Sequence, residues 1–173
     1  MTALTDDDFA LLGLPKRFQV DLNTLDERWK HLQRQAHPDR HAAHGSAAQR
    51  VAMQWSVRIN EAHQRLRDPI SRAAYLCELQ GSPIDAERNT AMPPDFLMQQ
   101  MQWREALDDA QNEDQTQALL DEVLSQRRQA IEQLSQLLDT HNDSLAASAV
   151  VRALMFIDKF AADVRERLDR WAD

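Results

Sequence analysis

The sequence predicts an all-α protein. Three observations carry that prediction. Glycine is scarce, at 3 of 173 residues, where sheets and tight hairpins usually need more. Leu, Ala, Gln, Arg and Glu, all good helix formers, are abundant. Apolar residues recur at steps of three and four along most of the chain, the period of one helix face.

The first hydrophobic cluster is Phe9, Leu11, Leu12 and Leu14, led by Thr5 and three aspartates. Acids at a helix start complement its dipole, and Gly13 and Pro15 stop the segment. Next, Leu22, Leu25, Trp29, Leu32 and Ala36 share one face, with Asp21 or Asn23 as the cap. Pro38 ends this helix because it lacks a donor and disfavours helix in the residue before it. The polar stretch from His37 to about Ser46 reads as a loop. A second long helix follows, with Ala48, Ala52, Trp55, Ile59, Ala62 and Leu66 on its apolar face. Two such stripes joined by a short connection predict an antiparallel hairpin. Asp68-Pro69 closes it, and a shorter helix runs from about Ser71 to Gln80.

Residues 81–94 contain Gly81, Pro83, Asn89, Pro93 and Pro94, show no sustained period and read as a linker. Helices are expected at about 95–111, 114–139 and 144–171. The short breaks between them predict antiparallel neighbours in a three-helix bundle. The expected division is therefore 1–80, a linker at 81–94, and a bundle at 95–173. Trp29, Trp55, Phe160 and Trp171 are expected to anchor the cores, and Cys77 to be a buried small residue.

Composition narrows the function. Dispersed glycines leave no phosphate-binding loop, and a single cysteine excludes disulfide or cysteine–zinc scaffolds. The net charge of −8 disfavours general binding to nucleic acid or anionic membrane. The absence of an 18-residue apolar run argues against a membrane span, and acids at the amino terminus argue against a signal peptide. A cytosolic protein is expected. His41 and His44 stand three apart, but nothing completes a ligand set, so no metal site is expected. An enzyme built on His37 and Asp39 would lack an activated nucleophile, so neither a catalytic residue nor a cofactor is expected.

His37-Pro38-Asp39 lies between the two long helices. Alone it is a weak signal and reads equally as a helix stop. Its setting adds Asn60-Glu61-Ala62 on the following helix, then Asp68-Pro69 with Arg72-Ala73 and Tyr75. Three such signals in this order resemble the J-domain family of co-chaperones. Further matches at Phe9 to Pro15, Leu32 to Asp39, Phe96-Leu97-Met98, Arg104-Glu105 and Phe156-x-Asp158-Lys159 resemble the HscB-type J-proteins of iron–sulfur cluster assembly. Departures are Ala36 for a common aromatic, Arg40 for a usual lysine, and Gln102 for a common glutamate. The amino-terminal cysteine pairs of many eukaryotic relatives are absent.

The resemblance implies an amino-terminal J-domain followed by a client-binding bundle. It implies a non-enzymatic co-chaperone that stimulates the DnaK-class ATPase HscA and delivers the scaffold protein IscU. The alternative is a general J-domain co-chaperone with another client. Chaperone docking would fall to His37, Pro38, Asp39, Arg28, Lys30, Arg34 and Arg40. The segment from Arg28 to Arg40 carries a net +3 on an acidic chain, which suits steering toward an acidic surface; its plainer reading is a solvated helix face. Scaffold binding would fall to Leu97, Met98, Met101, Gln102, Glu105, Asp109 and Phe156. The apolar members of that set lie beside the packing stripe of their helices, where extra apolar surface marks either a partner site or a wide core face.

Overall fold

The computed structural model describes residues 3–173. Among these the chain is helical, with no strand. It divides into two compact units, Met1–Tyr75 and Leu76–Asp173.

In the first unit, α1 (Asp8–Leu11) is capped by the Asp7 side chain, which accepts from the Ala10 N–H at 3.0 Å. Gly13 ends it at φ 65°, a left-handed conformation that favours glycine. A Cβ there would also lie 2.6 Å from Nη1 of Arg28. Helix α2 (Leu22–Ala36) starts at Asp21, whose carboxylate accepts from Asn23 N–H, so Asp21 rather than Asn23 is the cap. Helix α3 (Ser46–Arg67) packs back along α2 as the expected antiparallel hairpin. Leu25, Ile59, Ala62 and Leu66 meet Phe9, Leu11, Leu12 and Phe18 in a sealed core, each large side chain contributing about 1.5–3 kcal/mol of burial. Helix α4 (Pro69–Leu79) begins directly after Asp68, two residues earlier than expected, because proline is favoured at a helix's first position.

The stretch after Pro38 corrects the sequence reading. Residues Pro38–His44 form a 3₁₀ helix instead of a loop. Ala42 and Ala43 are exposed, so no apolar period betrayed it.

In the second unit, α5 (Pro94–Asp109), α6 (Glu113–Ser135) and α7 (Ser144–Ala172) form the bundle. Asn112 and Asp143 cap α6 and α7 by accepting from Gln115 and Ala146 N–H groups. The end of α6 loosens into a π turn at Gln136–Thr140. An aromatic stack of Trp103 on Phe160, with centroids 5.7 Å apart, fills the centre. Residues 83–91 are not a free tether. The buried Arg152 of α7 donates to the carbonyls of Ile84 at 2.9 Å, Ala91 at 3.0 Å and Pro83 at 3.4 Å. Those bonds satisfy a charge that burial would otherwise penalise.

Three expected core tryptophans are not fully buried. Trp29 is half-buried and stacks on His63. Trp55 lines an open groove. Trp171, near the end of α7, is exposed and donates its ring N–H to Thr116 Oγ1. Trp103 and Phe160 are the buried anchors of the bundle.

Candidate functional site

The tip of the hairpin is built by its own side chains. Pro38 forces His37 out of helical geometry, at φ −58° and ψ 129°. Its ring Nδ1 then accepts from the Asp39 N–H at 3.2 Å, capping the 3₁₀ turn. With Nδ1 accepting, the neutral ring carries its proton on Nε2. The Asp39 carboxylate lies 3.6 Å from the same nitrogen, too far for a hydrogen bond, and its side chain is 92% exposed. The turn thus presents an anionic acceptor to solvent on a fixed backbone.

The sequence reading missed what holds this turn to α2. Arg40 Nη1 donates to the Arg34 carbonyl at 2.9 Å, and the His41 ring donates to the Gln35 carbonyl at 3.0 Å. These are carbonyls that a helix end leaves unpaired. Arg40 and His41 therefore act on the tip itself. His41 and His44 stand 6.0 Å apart as rings, and no His, Cys, Asp or Glu group suited to a metal occurs among the described residues.

Below the tip, the motif residues have identifiable structural work. Asn60 Oδ1 accepts from Trp29 Nε1 at 2.9 Å and from Gln33 Nε2 at 2.7 Å, tying α2 to α3. Gln33 also bonds the Ser56 carbonyl and hydroxyl. Ala62 is fully buried at the helix contact. Arg72 donates to the carbonyls of Phe18 and Leu66. Tyr75 Oη accepts from the Asp8 N–H. Asp26 receives the His63 ring at 2.7 Å and Arg67 at 2.9 Å. The His63 hydrogen bond, joined by the Arg67 charge, holds the Asp26 carboxyl below its usual range of 3.8.

Arg28, Lys30 and Arg34 are exposed on α2. At about 100° per residue, Lys30 and Arg34 project within roughly 40° of each other, while Arg28 lies about 120° or more from both. The cations therefore divide into a Lys30–Arg34 pair and a separate Arg28 beside Gly13. Next to the tip, α2 and α3 enclose an open apolar groove of about 580 Å³ lined by Leu32, Ala36, Val51 and Trp55.

On α5, Leu97, Met98 and Met101 are 65%, 64% and 62% exposed, and Gln102, Glu105 and Asp109 are exposed beside them. Side chains of that size and exposure do not serve the core. Phe156 differs. It is half-buried, edge-on to Phe96 at 5.7 Å and stacked with Phe160 at 6.2 Å. The Arg104 guanidinium covers its ring at 5.6 Å. It is both a core member and a surface. Cys77 is fully buried, and burial pushes its thiol up to about 11, so it is no nucleophile near neutral pH.

A family model described as the HSCB C-terminal oligomerisation domain matches residues 92–165. The chain is 49% identical to the co-chaperone protein HscB homolog of Burkholderia thailandensis over 173 residues, covering 98% of each. It is 51% identical to that of Bordetella petrii over 160 residues, covering 92% of this chain and 94% of the relative. The solved chaperone HscB from Vibrio cholerae superposes with a TM-score of 0.79 at 34% identity, over 95% of this chain and 99% of that one. Human co-chaperone HscB shares the fold, with a TM-score of 0.86 at 23% identity over 96% and 84% of the two chains.

Proposed function

The chain belongs to the HscB family of co-chaperones, and from that premise we propose that it activates the ATPase of the DnaK-class chaperone HscA and delivers the iron–sulfur scaffold IscU to it. The observation that carries the reading is the tip, where a helix-stopping proline and a self-capping His37 leave Asp39 outward on an ordered turn. An ordered, exposed acceptor loses little conformational entropy on docking, and a carboxylate suits an arginine on the ATPase. The reading assigns the protein no chemistry of its own. HscA hydrolyses the ATP, and the cluster travels as cargo of IscU.

The α5 face supports the second half. Leu97, Met98 and Met101 offer adaptable apolar contact, and Glu105 and Asp109 add an acidic rim. The setting is the cytosol; among the described residues no helix is long and apolar enough to cross a membrane.

The test is single-turnover ATP hydrolysis by HscA, with and without this protein and IscU. The parent protein should accelerate it, and more so with IscU present. His37→Gln and Asp39→Asn should abolish the acceleration while keeping helicity and IscU binding. Asp39→Asn retains the main-chain N–H that caps the turn, so its failure isolates the carboxylate. Full stimulation by either variant places the docking site elsewhere. Stimulation without IscU binding favours a general co-chaperone with another client.

A further inference from the structure

The α5 helix has a second flank that the proposed function does not use. Between its amino-terminal half and α6 runs a narrow groove of about 370 Å³, within the size range of ligand sites. Its floor includes Ala153 and Ile157 of α7, both under 5% exposed. Its walls carry four glutamines, Gln99 from α5 and Gln126, Gln129 and Gln133 from α6. None of these side-chain amides meets a hydrogen-bond partner among the described residues. Gln99 lies about 160° around α5 from both Leu97 and Met101, so this is a different surface from the scaffold-binding face.

We infer that this groove binds a neutral peptide segment in extended conformation through the segment's main-chain amides. Four primary amides supply donors and acceptors together and no charge. The ligand that matches must be neutral and must itself alternate donors and acceptors, as a peptide backbone does. Residues 126, 129 and 133 share one face of α6 and span about 10.5 Å along its axis. Three extended residues cover about the same length. The apolar floor accepts small side chains facing inward. The one charged group in the lining, Asp95, stands at the start of α5 and disfavours an acidic segment. A ligand held by charge would need cations or further acids here, and the walls offer neither.

The test is a nuclear magnetic resonance titration of the full chain, following the side-chain NH₂ signals of the four glutamines. The probe is a blocked hexapeptide of alternating valine and alanine. Its controls are the same peptide N-methylated at alternate residues, and a version with glutamate at its centre. Saturable shifts at these glutamines are expected with the neutral peptide. Both controls should bind about tenfold or more weakly, since two lost hydrogen bonds suffice for that. Gln129→Glu with Gln133→Glu should abolish the shifts at an unchanged melting temperature, because both residues lie on the bundle's surface. The inference is overturned if no peptide shifts the glutamines, if the N-methylated peptide binds equally, or if shifts appear at Leu97 to Met101 instead. It is equally overturned if the glutamine signals move with protein concentration alone, which makes the groove a contact between two copies. None of these readouts depends on HscA or IscU, so failure here leaves the co-chaperone reading standing.

Discussion

Arg58 Nη1 lies 2.7 Å from Oδ1 of Asp8, a carboxylate with no exposed surface. Arg65 reaches the other oxygen at 3.1 Å. The acid leads α1 and the two arginines belong to α3, so this cluster locks the short first helix against the hairpin that carries the tip. Two features keep the buried charge tolerable. It has two cations, and both of those retain contact with solvent.

Asp8→Asn should therefore destabilise the first unit strongly. Removing one partner of a buried pair typically costs 3–5 kcal/mol. The partial exposure of both arginines lets water recover some of that, so about 2–3 kcal/mol is expected. Urea unfolding measures it. A loss below about 0.5 kcal/mol, the usual range for surface changes, would mean that the cluster contributes little to stability.

The helices were legible because each has an apolar face of regular period, and their starts because Asp21, Asn112 and Asp143 are strong caps. The tripeptide was legible through its neighbours, and the exposure of Leu97, Met98 and Met101 through their offset from Trp103. The 3₁₀ turn was not, since its stability comes from Arg40 and His41 bonding carbonyls six residues back. The Arg152 clamp was not either. A lone arginine within the apolar face of α7 gives no hint that its partners are carbonyls more than 60 residues earlier. Trp55 and Trp171 kept the helical period, yet period shows only which face a residue shares. Nothing covers Trp55 on its groove side, and Trp171 lies two residues from the chain's end.

The division of cations on α2 separates two outcomes. Lys30→Glu and Arg34→Glu reverse neighbouring charges near the tip and should weaken HscA stimulation, the effect fading with added salt as exposed charges are screened within ~10 Å at 0.1 M. Arg28→Glu, on the other flank beside Gly13, should have the smaller effect on stimulation. Stimulation measured across a salt series for the three variants checks this. Equal losses at all three positions would refute the split surface.

The acid side of the stability curve depends on Asp26. Its folded-state carboxyl titrates below 3.8 because the His63 ring bonds it and Arg67 adds charge. A lowered folded value means the unfolded chain binds the proton more readily. The stabilisation is then fully present well above 3.8 and disappears as pH falls through the folded value. Asp26→Asn should be less stable than the parent at neutral pH, and the two should converge in strong acid. Thermal melts from neutral to acid pH would show it, and a gap independent of pH would assign the loss to packing around Trp29 and His63.

The α5 face and Phe156 should separate when tested singly. Leu97 and Met98 are exposed and touch no core aromatic ring. Replacing both with alanine should leave the melting temperature nearly unchanged, since exposed positions stay within about ±0.5 kcal/mol. If they are anchors for IscU, the same change should weaken its binding by about 2 kcal/mol or more. Phe156 is held between Phe96, Phe160 and Arg104. Full removal of a buried phenylalanine costs about 3–5 kcal/mol; half-buried, Phe156→Ala should cost about 1–2 kcal/mol of stability by the same account. Its effect on binding must be read from calorimetric titration well below the variant's melting temperature. A Leu97→Ala, Met98→Ala double variant that melts early would make those residues core. A stable double variant that binds IscU like the parent would move the scaffold site off α5 altogether.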